Sequence, residues 1–162
     1  MATLDATVGG ASSNSYVTVI EADDYFDSRL NSSVWSSSTS KDAALITAAY
    51  DLDSTFNWVG EPASETQSME WPRLYVAGVE STEIPFDVKR AQMELALAYL
   101  SGTYSTTQES SLQAVKMGPM EVKFESGSET RVVPDSIATI IGILGSYIEV
   151  SSKSARMVDL TR

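Results

Sequence analysis

The stretch IPFDVKRAQMELALAYL, residues 84–100, decides how the rest of the chain can be arranged. Pro85 stands where a first-turn proline is tolerated, because its missing N–H would lack an intrahelical partner anyway, and neither proline nor glycine follows until Gly102. Val88, Ala91, Leu95 and Ala98 recur at helical spacing, and Met93, Ala96, Leu97 and Leu100 fill the adjacent sector. From Met93 onward Glu94 is the one charged position. A helix apolar over so much of its circumference has to be covered on more than one side, which makes it the central helix of the fold. Asp87 near its start and Gly102 past its end suit the polarity of helix termini.

Downstream, LQAVKMGPMEVKFES alternates: Met120, Val122 and Phe124 fall on one side and Glu121, Lys123 and Glu125 on the other. Gly118-Pro119 supplies a tight turn, so a β-hairpin is expected over 112–125. A lone hairpin is marginal in water, so its apolar set, Val115, Met117, Met120, Val122 and Phe124, should lie against helices or another subunit. Val133-Pro134-Asp135 opens a last helix with Ile137, Ile140, Ile141 and Leu144 inward, ending near Tyr147. Residues 148–162 form a tail.

Upstream, residues 56–83 carry Trp58, Gly60, Pro62, Trp71, Pro72 and Gly78 among polar residues and predict a long irregular connection. Thr39 and Asp42 open a helix whose buried side is Ala43, Ile46, Thr47, Tyr50 and Leu52 or Asp53. The serine-rich run around Trp35 is expected to be a loop that donates its indole to the core. Thr18 and Glu21 form a capping box for a first helix with Val19, Ala22, Tyr25, Phe26 and Leu30 on one face. Residues 1–15, poor in apolar side chains, predict an extended arm unless a neighbour holds it.

The whole is then a mostly α protein: a bundle of about four helices with one β-hairpin and extended N- and C-terminal arms, divided into an arm at 1–15, a helical domain at 16–147 and a tail at 148–162. Tyr25, Phe26, Trp35, Trp58, Trp71, Pro72 and Leu95 are the expected core anchors.

Composition narrows the chemistry. With 162 residues and neither cysteine nor histidine, the chain needs no staples for a core and lacks the thiolate nucleophile, the commonest general base and the commonest transition-metal ligand. No stretch reaches the length of a membrane span, and no leader pattern opens the chain. The carboxylates close in sequence, Asp23 with Asp24, Asp51 with Asp53, and Glu121 with Glu125, show no divergent environments of the kind a catalytic pair needs. Phosphate-binding glycine motifs and a nucleophile elbow are absent too. No enzyme, cofactor or metal is therefore expected. The net charge is −11, and residues 1–88 hold 14 acids against 3 bases while residues 89–162 hold 8 of each. An acidic first half repels DNA. Lys89, Arg90, Lys116, Lys123 and Arg131 are the mid-chain candidates for a basic stripe, and the tail, with Lys153, Arg156 and Arg162, carries +1 against −12 for residues 1–147.

The order SYVTVIEADDYFDSR, then Trp58-Val59-Gly60, Trp71-Pro72-Arg73, the 84–96 pattern, VKMGPMEVKF and Val133-Pro134 resembles a family of tailed-bacteriophage head-to-tail connector proteins, often labelled DnaT-like single-stranded-DNA-binding proteins. The resemblance covers about residues 15–147. The glycine often found soon after Trp-Pro-Arg comes later here, at Gly78, and the tail runs past the family's usual last helix. It implies a structural protein of the virion neck, a ring of about twelve copies that joins portal to tail or nozzle protein, with DNA passing through its channel without specific binding. The apolar hairpin set and Lys153, Arg156, Met157, Leu160 and Arg162 would then meet neighbouring subunits or the portal. The alternative is a single-stranded-DNA-binding accessory protein of replication.

Overall fold

The computed structural model describes residues 3–30, 32–103, 114–117, 120–123 and 135–149. Its elements run α1 (Val19–Asp27), α2 (Ser33–Ser37), α3 (Lys41–Thr55), β1 (Glu61–Pro62), β2 (Arg73–Leu74), α4 (Phe86–Leu100), β3 (Ala114–Met117), β4 (Met120–Lys123) and α5 (Asp135–Leu144). The protein is mostly helical, with five helices among the described residues where about four were expected. The additional one is α2, a short helix around Trp35 in the serine-rich run read as a loop. Five residues are too few to show a helical period in sequence.

α4 is the centre. Val88, Ala91, Met93, Leu95, Ala96 and Ala98 are buried on it, and α3, α5 and α2 cover it from different sides. α1 begins as expected: Glu21 N–H donates to Thr18 Oγ1 at 3.1 Å and Thr18 N–H to Glu21 Oε2 at 2.7 Å. Ala22 and Phe26 form its buried face, while Leu30, expected on that face, lies beyond the helix and is 92% exposed. α3 buries Ala44, Leu45, Ala48, Ala49 and Leu52; Ala43, Thr47 and Tyr50 point to solvent and Ile46 is half-buried. The buried stripe is thus turned by one residue, about 100° on a helix, from the expected face. Alanines at 44, 48 and 49 permit close approach to α4, which a face bearing Thr47 and Tyr50 would hold off. On α5, Ile140 and Leu144 are buried.

Residues 3–15 are not a free arm. Asn14 and Ser15 N–H groups donate to Asp5 C=O, Ser68 N–H donates to Gly10 C=O at 3.1 Å, and Ser13 and Ser15 are buried. Gln92, fully buried on α4, ties this segment to the bundle: its Oε1 accepts from Tyr16 N–H at 2.9 Å, and its Nε2 donates to Ser15 Oγ at 2.7 Å and to Leu45 C=O at 2.9 Å. A buried amide left unpaired is costly, so the three bonds fix where the segment crosses α3 and α4.

The connection at 56–83 is ordered around one side chain. Arg73, buried, uses all five of its N–H donors: Nε to Val59 C=O, one terminal nitrogen to Glu70 C=O and to the Glu70 carboxylate, the other to Trp58 and Gly60 C=O. Arg73 itself belongs to β2, which pairs antiparallel with β1, Glu61 opposite Leu74 and Pro62 opposite Arg73. At Gly60, with φ +80°, an added Cβ would lie 2.1 Å from Leu74 C=O, so no other residue fits. Phe56, Trp58, Trp71 and Tyr147 form a chain of edge-to-face rings with centroids 5.7–6.1 Å apart. Past α5 the backbone returns to this region. Val59 N–H donates to Tyr147 C=O at 2.9 Å, Glu149 N–H to Asn57 C=O at 2.7 Å, and Ile148 faces Trp58 in an antiparallel bridge.

Candidate functional site

The expected core anchors sit as follows: Phe26, Trp35, Trp58, Trp71, Pro72 and Leu95 are buried, and Tyr25 is half-buried. Trp35 donates its indole N–H to Asp23 at 2.8 Å, and Lys41 reaches the same carboxylate oxygen. Those bonds, chiefly the one from Lys41, hold the Asp23 carboxyl below its ordinary range. The Trp58 and Trp71 indole N–H groups are buried without an acceptor among the described residues. With all three tryptophans inside, none is a platform for a ligand.

The distribution of cations is more telling. Of the side chains described, Arg29 pairs with Glu94, Lys41 with Asp23, Arg73 with Glu70 and Lys89 with Glu21. Lys89 and Thr18 together hold the Glu21 carboxyl low against the opposing pull of its partial burial. Arg90, exposed on α4, has no carboxylate within 4 Å among the described residues. One turn before it stands Phe86, 64% exposed at the start of the same helix. The Tyr25 ring lies edge-on to Phe86 at 6.4 Å, its hydroxyl donates to Glu94 at 2.5 Å, and the Arg29 guanidinium sits 5.4 Å from its centroid. The result is an exposed aromatic ring braced from one side, next to an unengaged guanidinium.

Two further cations, Lys116 and Lys123, lie in the strands of the hairpin. The register sets Ala114 opposite Lys123, Val115 opposite Val122, Lys116 opposite Glu121 and Met117 opposite Met120. Phe124, Arg131, Lys153, Arg156, Met157, Leu160 and Arg162 lie outside the described residues.

Buried polar chemistry gathers where α3 ends. Asp53 accepts a hydrogen bond from the Tyr16 hydroxyl and one from Glu70 N–H at 3.2 Å. Burial raises its pKa to about 6, and burial beside the Asp53 charge pushes the Tyr16 hydroxyl well above its ordinary value. Each of these groups is engaged inside the protein and offers nothing to a ligand at the surface. Among the described residues no three His, Cys, Asp or Glu side chains are grouped to hold a metal ion.

A family model described as "Putative DnaT-like ssDNA binding protein" matches residues 3–162. The chain belongs to that family. No curated protein and no solved structure matches it. Membership of the DnaT-like family overturns the expectation of a head-to-tail connector, and with it the ring, the portal and tail partners, and the passage of DNA without binding. Net charge, whether of the molecule or of its first half, is a sum in which a local pair such as Phe86 and Arg90 is invisible. Arg90 was among the expected basic candidates. Phe86 was not singled out, although its place off the Val88, Ala91 and Leu95 stripe is a readable sign of exposure.

Proposed function

We propose that the protein binds single-stranded DNA as a non-enzymatic accessory factor. The observation that carries this reading is the family match over residues 3–162. Cations on two elements support it, Arg90 on α4 and Lys116 and Lys123 in the paired strands β3 and β4. Exposed aromatic surface favours single strands over duplex, whose base faces are already stacked on one another. The absence of histidine and cysteine speaks for binding without catalysis.

The test is fluorescence anisotropy of a labelled oligo-dT titrated with the protein, with unlabelled duplex as competitor. Binding in the micromolar range, poorly competed by duplex and weakened in the Lys116→Ala, Lys123→Ala double variant, is expected. Unchanged anisotropy at low salt would overturn the proposal.

A further inference from the structure

We infer that Phe86 is the stacking platform for an unpaired base and that Arg90 meets the phosphate of the same nucleotide; this rests on the single-stranded-DNA reading above. Three exposed aromatic rings stand among the described residues, on Tyr50, Tyr75 and Phe86. Tyr50 has no cation one helical turn away in either direction, its neighbours there being Ile46, Thr47, Asp53 and Ser54. The cation nearest Tyr75 in sequence, Arg73, is buried and fully hydrogen-bonded. Phe86 has Arg90 four residues on, the spacing that brings two side chains together on a helix surface.

The surroundings favour an anionic ligand there. Glu21 and Glu94, acids of the adjoining surface, are each neutralised, by Lys89 and Arg29 respectively. Asp87, next to Phe86 and three residues before Arg90, and Glu83, exposed three residues before Phe86, are the acids nearest in sequence that would oppose a phosphate. Tyr25 restrains one edge of the Phe86 ring and is itself held through Glu94, so the ring is presented with little freedom to lose on binding. A purine or pyrimidine face fits such a surface whatever the sequence, because every base has a π-face.

Phe86→Trp supplies the readout. Trp35, Trp58 and Trp71 are all buried, so the new indole is the exposed emitter, and oligo-dT should quench it in step with the anisotropy change. Phe86→Ala should weaken oligo-dT binding roughly 5- to 150-fold, the loss of one stacked base. Arg90→Ala should weaken it and flatten its salt dependence, and Asp87→Asn should tighten it. Because Phe86 is exposed, Phe86→Ala should keep the wild-type circular dichroism melt. If the wild-type chain binds oligo-dT while Phe86→Ala binds as tightly and Phe86→Trp emission is unmoved, the stacking assignment is overturned and the DNA-binding reading stands. If the wild-type chain does not bind at all, both fall.

Discussion

At the scale of single residues, the polar side chains that organise this protein act mainly on backbone. Gln92 and Arg73 each bind segments far apart in sequence, and neither has a side-chain substitute of the same shape and donor count. Asp53 differs, because its carboxyl is titratable near neutrality. Its folded pKa, about 6, lies above the ordinary 3.8, so the folded state holds the proton more tightly. The stabilisation from that proton is complete below about pH 4 and disappears as pH rises through about 6. Asp53→Asn removes this dependence. Urea denaturation at pH 4, 5, 6 and 7 should show the variant gaining about 2–3 kcal/mol on the wild-type chain across that range. A constant difference between the two would contradict it.

At the scale of elements, the helices were legible in proportion to their apolar period and their caps. The 84–100 pattern and the Thr18–Glu21 box were read directly, since both are local in sequence. The buried face of α3 was not, because alanine is neutral enough to stand on either side and the decision belongs to α4. The order in residues 56–83 was hidden altogether: it depends on Arg73 donors meeting carbonyls 13 to 15 residues away, for which no period exists. The segment after α5 likewise shows no pattern, yet residues 147–149 complete the wall around Trp58 and Trp71. A chain ending at Glu149 retains those bonds and the Tyr147 ring, and one ending at Leu144 loses them. The shorter chain should be less stable by about 2–4 kcal/mol in urea denaturation. Equal midpoints and slopes would show that the returning segment contributes nothing.

At the scale of the whole molecule, charge sets how DNA can be held. Of eleven lysines and arginines, four are engaged with carboxylates, so at most the other seven can replace counterions on a phosphate backbone. The logarithm of the affinity for oligo-dT should then fall against the logarithm of salt with a slope no steeper than about −5. A steeper slope in the anisotropy titration would require the existing ion pairs to open on binding. The antiparallel return of residues 147–149 to residues 57–59 bears on biosynthesis as well. A nascent chain that has not yet extended past α5 has Trp58 and Trp71 outside the ribosome with no Tyr147 to cover them, so this hydrophobic wall closes only once residues 147–149 have emerged, and until then it is a surface for chaperones to protect.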